Sequence, residues 1–424
     1  MSRALPLIAL LTAVLAPAVG LAAPEDRGID AFRERFRSVT KLTFDSGGDV
    51  ARQFHLDAAA YLPMATIART RAARPLVVDP RPELAALAVR HPGGVDTFGT
   101  YVETNPHVDG AIVLHEGRVV FEAYPRMEAW QRHFSWSVSK VFTSTTLAAL
   151  VARERVDMGE NIATYVPLLA GTAWDGVSVR DVANMASGID CRDADGYQSP
   201  ETCIYRLEEA LGVTAPTGYD GGLEAHLRAM TRRAPAGTRN EYASANTIVL
   251  GLVIEAVTGQ PFARAVQDLL WGPMGAEADG LSAISPEGFA YASSGVTLRL
   301  RDLARMGEVL TRPDAFAVVD ATLVADMQGP RGIALTAENL TAMAAEFPDD
   351  LPLRAAWQWD LVWADGALFK GGYSGQGIYV DPARDLVVAW FGTGENYGAT
   401  RNAMRAIARQ LARSGQFPPL QAAP

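Results

Sequence analysis

His133-Phe-Ser-Trp-Ser-Val-Ser-Lys-Val-Phe-Thr-Ser-Thr-Thr-Leu-Ala-Ala-Leu150 changes character at its middle: a cluster of serines gives way to an apolar run, with Lys140 at the junction. The lysine is conspicuous because the chain hardly uses the residue. Of 38 basic side chains only Lys41, Lys140 and Lys370 are lysines, and arginine supplies the rest of the positive charge. Apolar residues at 141, 142, 147, 150 and 151 predict a helix over 137–156. Residues three apart at a helix start share a face, so Ser137 and Lys140 can meet, whereas Ser135 and Ser139 have the wrong offset. A helix N-terminus also presents unpaired N–H groups and a positive dipole end to a developing anion. A serine hydroxyl needs a base to attack carbon. Arginine cannot serve, but a lysine can once burial or a neighbouring cation lowers its pKa. Ser137-Val-Ser-Lys140 is therefore a candidate nucleophile and base, although Ser-x-x-Lys alone is also a capping serine beside a surface lysine.

Other chemistries lack their residues. There is no Gly-x-Ser-x-Gly elbow, no His-Glu-x-x-His, no clustered Cys/His zinc pattern and no phosphate loop ending in Lys-Ser/Thr, so neither metal nor cofactor is expected. A formal charge of −10 argues against nucleic acid or anionic membrane as a partner. Residues 1–22 read as a secretory signal peptide cut near Ala22: a basic start, an apolar run and a small-residue exit. The competing reading is an uncleaved anchor, against which stand Pro6, Pro17 and the shortness of the run. The expectation is a periplasmic or secreted protein with no stable membrane insertion after cleavage. In that setting Cys191 and Cys203 are expected to close CRDADGYQSPETC as a disulfide, with two free thiols as the alternative.

Along the chain, 109–125 reads as a hairpin, 247–259 as a buried helix stopped by Gly259, 297–310 as an amphipathic helix, and 367–393 as three strands, the last two joined by Asp381-Pro-Ala-Arg-Asp385. An amphipathic helix closes the chain, and the ending QFPPLQAAP reads as a loose tail. Strands thus flank a mostly helical middle. The expected fold is α+β, one antiparallel sheet from both chain ends flanked by helices: residues 23–140 and 291–424 form the sandwich domain (23–108 being an N-terminal extension of uncertain role), and 141–290 a mostly helical inserted domain.

Ordered together, HFSWSVSK, NEYASANTIVLGLVIEAVTG (240–259), ASSGVTLRLRDLARMG (292–307) and LFKGGYSGQGIYVDP (368–382) make residues 105–415 resemble the serine β-lactamase and penicillin-recognising enzyme superfamily, in its class C and esterase branch. The resemblance implies a DD-peptidase/β-lactamase-like fold and an acyl-enzyme at Ser137, with Lys140 and Tyr242 sharing the proton and Tyr242 serving the leaving group. A free phenol titrates near about 10, so it needs lysine charge nearby. Lys370 supplies that field or holds a substrate carboxylate, and the N–H groups of Ser137 and Tyr373 form the oxyanion hole beside Gly372. Ser244 stands where β-lactamases carry asparagine, and Lys370-Gly371-Gly372 replaces Lys-Thr-Gly. Both departures remove groups used on β-lactams. Tyr-x-Ser, Ser187-Gly188-Ile189 and the Gly-Gln-Gly-Ile-Tyr-Val-Asp-Pro strand look more like the 6-aminohexanoate-oligomer hydrolases and related carboxylesterases. That resemblance implies hydrolysis of small esters or linear amides. The 189–206 loop is expected to cover the pocket with Tyr197 as a contact. Trp357, Trp359 and Trp363 are candidates for an apolar acyl pocket, with core packing the alternative. A β-lactamase or D-amino-acid peptidase, and a non-catalytic ligand-sensing module of the same fold, remain open.

Overall fold

The computed structural model describes residues 28–40, 43–44, 46–218, 221–394 and 399–420. The signal peptide read at 1–22, and Lys41, lie outside them.

A nine-stranded sheet carries the fold. Its strands run, from one edge to the other, Ile333–Ala334, Arg354–Ala356, Trp359–Val362, Leu368–Gly371, Gly377–Asp381, Leu386–Gly392, Val108–His115, Arg118–Ala123 and Val77–Val78. Every neighbour pairs antiparallel except the last, which is parallel. The two predicted strand groups meet at the centre, where Val388 lies opposite Val113 and Ala389 opposite Ile112. Both faces of the sheet are covered, which explains why its central strands read as continuous apolar runs. Along Leu386–Gly392, Val387, Ala389 and Phe391 join one core, while Leu386, Val388 and Trp390 join the other. Helix Leu300–Thr311 packs on the first face, and the closing helix Ala399–Arg413 on the second. In the former, Gly307 sits so close to the sheet that a Cβ would come 2.6 Å from Val387.

A smaller sheet, Met64–Ile67, Gly280–Ala283, Val296–Leu298 and His133–Phe134, ties the N-terminal segment to the chain on either side of the helical middle. That middle includes the helices Ser139–Val151, Cys203–Ala210, Gly222–Ala229 and Ser244–Thr258. Among the described residues no single helix is long and apolar enough to cross a membrane.

Three expectations change. The helix expected over 137–156 runs only from Ser139 to Val151, preceded by a 3-10 turn at Trp136–Val138. Polar residues Arg153-Glu-Arg155 end it by bonding back to the last turn. The C-terminal tail is tied down at two points: Phe417 is 1% exposed against His115, and the Leu420 amide donates to the Ala383 carbonyl. The segment 28–108 is no appendage, since Ala51, Phe54, Ala58 and Ile67 belong to the main core.

Candidate active site

From 133 to 150 every residue is buried except Ser137. Its Oγ accepts a hydrogen bond from Lys140 Nζ at 3.2 Å, the contact that the three-residue spacing predicted. Nζ also donates to Ser244 Oγ at 3.0 Å and to the Ser293 carbonyl at 3.1 Å. Burial pushes Lys140 from 10.5 down to about 7; Asp193 pulls it up, and the Lys370 charge pushes it further down. Near neutrality a large share of the amine is therefore unprotonated.

The geometry decides where the free lone pair points. Ser244 spends its own hydroxyl proton on Asp193 Oδ2 at 2.6 Å, so toward Lys140 it can only accept. The Ser293 carbonyl likewise only accepts. A neutral amine keeps its two hydrogens on those two groups and turns its lone pair to the Ser137 hydroxyl. Asp193 is the residue the sequence did not disclose. It is buried, accepts the Ser244 amide at 2.7 Å at the start of helix Ser244–Thr258, and is joined to Tyr242 by a backbone bond of 3.1 Å. Nothing in CRDADGYQSPETC marks it apart from Asp195.

Tyr242 comes from the segment preceding that helix. Its hydroxyl accepts from Lys370 Nζ at 2.9 Å, and the two lysine nitrogens lie 5.0 Å (Lys140) and 4.4 Å (Lys370) from its ring centre. Lys370 is fully buried and pairs with Asp360 Oδ1 at 2.5 Å, while Asp360 Oδ2 accepts the Gly371 amide at 3.0 Å. Burial lowers the Lys370 pKa against the pull of Asp360. Asp360 is the second residue that sequence reasoning missed.

The described site thus brings Ser137, Lys140, Tyr242 and Lys370 together. Lys370 is engaged by Asp360 and Tyr242. Ser244 is 4% exposed and its hydroxyl meets Lys140 and Asp193. The Gly372 amide is spent on the Gln376 carbonyl at 2.8 Å. Its lack of a side chain is a packing need, since a Cβ would stand 2.5 Å from Gln376 Oε1 and 2.9 Å from the Ser135 carbonyl. Trp357, Trp359 and Trp363 are core residues, each at most 2% exposed; Trp357 donates to Asp326 and Trp363 to the Asp350 carbonyl. Their strand neighbours Asp360 and Leu361 reach the cleft instead. Ser135 and Ser139 bond each other and the Val296 backbone, which anchors the nucleophile segment to the small sheet.

A cleft of about 530 Å³ opens over Ser137. Tyr197 and Tyr373 wall it, 5.7 Å apart edge to face, with Leu335 and Met343 as apolar lining and Arg401 also at its wall. The volume suits a small organic substrate. Cys191 and Cys203 are disulfide-bonded with Cα atoms 5.1 Å apart, and the bond closes the loop carrying Asp193 and Tyr197, whose hydroxyl donates to Asp193 at 2.6 Å. Opening the bridge by replacing both cysteines with serine is expected to cost up to about 3 kcal/mol of stability and to lower kcat as Asp193 loosens. Urea unfolding with steady-state kinetics checks both, and unchanged kcat would separate the bridge from the site.

The backbone entering the nucleophile is itself unusual. Trp136 has φ 45°, a left-handed conformation costing a bulky residue about 1–2 kcal/mol. The stretch 133–150 holds no glycine to signal it.

Residues 105–413 match the family model "Beta-lactamase". The chain belongs to the beta-lactamase family. Within that family it is 31% identical over 335 residues to the 6-aminohexanoate-dimer hydrolase of Paenarthrobacter ureafaciens, covering 77% of this chain and 81% of that one. Among solved structures, a Bacillus anthracis protein assigned as a 6-aminohexanoate-dimer hydrolase aligns with a TM-score of 0.72 at 19% identity, over 90% of this chain and all of the other. EstCE1, a hydrolase with promiscuous acyltransferase activity, aligns with a TM-score of 0.58 at 15% identity, over 74% and 95% of the two chains. The structural matches speak to the fold. With the family match and the dimer-hydrolase relative, this beta-lactamase-family chain is a serine hydrolase.

Proposed function

We propose that the chain is an exported hydrolase that forms an acyl-enzyme at Ser137 and cleaves linear amides or small esters. The observation that carries the reading is the 3.2 Å contact of Lys140 Nζ with Ser137 Oγ; with Ser244 and the Ser293 carbonyl as acceptors for two amine hydrogens, a neutral Lys140 keeps its lone pair for the Ser137 hydroxyl. Lys140 accepts the Ser137 proton as Oγ bonds to the acyl carbon. The N–H groups of Ser137 and Tyr373, two residues lining a small chamber beside the hydroxyl, receive the oxyanion. Tyr242 gives its proton to the departing nitrogen or oxygen as the carbon–heteroatom bond breaks. Lys370 stabilises the resulting phenolate, and the proton on Lys140 restores the phenol. Water then attacks the ester by the same route in reverse, releasing the acid and freeing Ser137. Small-molecule ester or amide is the only partner the reaction needs.

An open cleft with no asparagine amide at position 244 and no hydroxyl at 371 favours a linear substrate over a β-lactam. The likeness to a 6-aminohexanoate-dimer hydrolase supports an ω-amino acyl amide as the substrate type. The disulfide and the apolar N-terminal run support a periplasmic or secreted location. Turnover of p-nitrophenyl butyrate, 6-aminohexanoyl-p-nitroanilide and nitrocefin by wild type and Ser137→Ala tests the reading. Cleavage of the first two, lost in Ser137→Ala, is expected. Rapid nitrocefin turnover with negligible cleavage of the other two would assign a β-lactamase instead.

A further inference from the structure

Behind the nucleophile lies a buried polar chain that the reaction above does not use. His55, on helix Gly48–Leu56, is fully buried. Its Nε2 faces Trp136 Nε1 at 2.8 Å, and its Nδ1 faces Thr393 Oγ1 at 3.1 Å. An indole N–H can only donate, so Nε2 is the acceptor and Nδ1 carries the hydrogen. Thr393 passes its own hydroxyl hydrogen on to Asp109 Oδ2. Asp109 also receives Arg52 Nε at 2.6 Å and His133 Nε2 at 3.1 Å. His133 Nδ1 meets the Phe134 carbonyl at 2.8 Å, so both of its ring nitrogens are engaged. The chain therefore has one polarity, from indole to imidazole to hydroxyl to carboxylate, and it ends on the ion pair of Asp109 with Arg52. Burial, and then the His133 charge, hold the His55 pKa well below the ordinary imidazole range, in keeping with a neutral ring.

Trp136 needs such a restraint. It holds its left-handed backbone directly before Ser137. Its ring packs against Phe44, Phe134 and Tyr373, with ring centres 5.6, 4.9 and 5.5 Å away. We propose that His55 is a positioning residue for the nucleophile: by accepting the Trp136 indole hydrogen it fixes the Trp136 conformation, and through the next peptide bond the direction of the Ser137 Oγ and N–H. The role of the N-terminal segment is then to hold the serine in register with Lys140. This inference rests on the assignment of Ser137 as nucleophile.

The test compares His55→Gln, whose longer amide can place an acceptor where Nε2 stood, with His55→Asn, whose shorter amide reaches only toward Thr393. The rate of Ser137 labelling by a fluorophosphonate is measured with kcat and KM for p-nitrophenyl butyrate. The glutamine variant is expected to stay within roughly threefold of wild type, and the asparagine variant to label about tenfold or more slowly at unchanged KM, since misplacement on the order of 1 Å costs up to ~10²-fold. Equal labelling rates in both variants, whatever their melting temperatures, would overturn the proposal. Should neither variant fold, Trp136→Phe removes the donor and keeps the ring: the same slowing is expected, and a wild-type rate would overturn the proposal. Failure of the underlying assignment looks different, because wild type itself would then take no label at Ser137.

Discussion

Arginine in place of Lys140 is expected to lower kcat/KM on an ester by at least roughly 10³-fold, although the positive charge is retained, because a guanidinium has no lone pair to offer. A loss of only a few-fold would mean that charge, and not basicity, is what position 140 supplies. The same argument fixes a pH dependence. With Lys140 brought down to about 7, kcat/KM should rise as pH increases through 7. Asp193 pulls that pKa up, so Asp193→Asn should move the rise to lower pH while weakening the hold on Ser244. A shift to higher pH would contradict the placement of Asp193. The stability sign follows by linkage. Between about 7 and 10.5 the unfolded lysine binds a proton that the folded one does not, so this group makes folding more favourable as pH rises through that window. Below it, the buried charge is a constant cost.

The second large effect is expected at Asp360. Its carboxylate is the ion-pair partner of Lys370, whose side chain is wholly buried while that of Asp360 is 23% exposed. Asparagine there leaves a buried ammonium without its counter-ion, which should cost about 3 kcal/mol, toward the low end for such pairs because of the partial exposure. To escape the cost Lys370 gives up its proton, and Tyr242 loses the charge that stabilises its phenolate. Stability and kcat/KM should therefore fall together. Urea denaturation paired with kinetics measures both, and a variant as stable as wild type but inactive would show that Asp360 acts on substrate and not through Lys370.

Local patterns were legible in the sequence, and long-range pairings were not. The Ser137–Lys140 contact follows from helical spacing within four residues. The strands around Val388 and Val113 are runs of apolar residues long enough to read on their own. By contrast, the strand Arg354–Ala356 and its neighbour Trp359–Val362 are too short to show a period, so their tryptophans could be read as pocket lining when they are core. Asp193 and Asp360 are ordinary acidic residues until the fold sets them beside Ser244 and Lys370. His55 meets Thr393 across 338 positions, and Arg52 meets Asp109 across 57, which is why 23–108 had no readable role. The left-handed Trp136 is a product of that same packing. Phe417 likewise reads as tail until His115 is placed beneath it.

The most direct measurement is the rate at which a fluorophosphonate labels the wild-type enzyme from pH 5 to 9, with the adduct located by peptide mass spectrometry. The account predicts a single adduct on Ser137 forming at a rate that climbs with pH through a midpoint near 7, set by Lys140. An adduct on any other residue, or a rate on Ser137 indifferent to pH across that range, would contradict it.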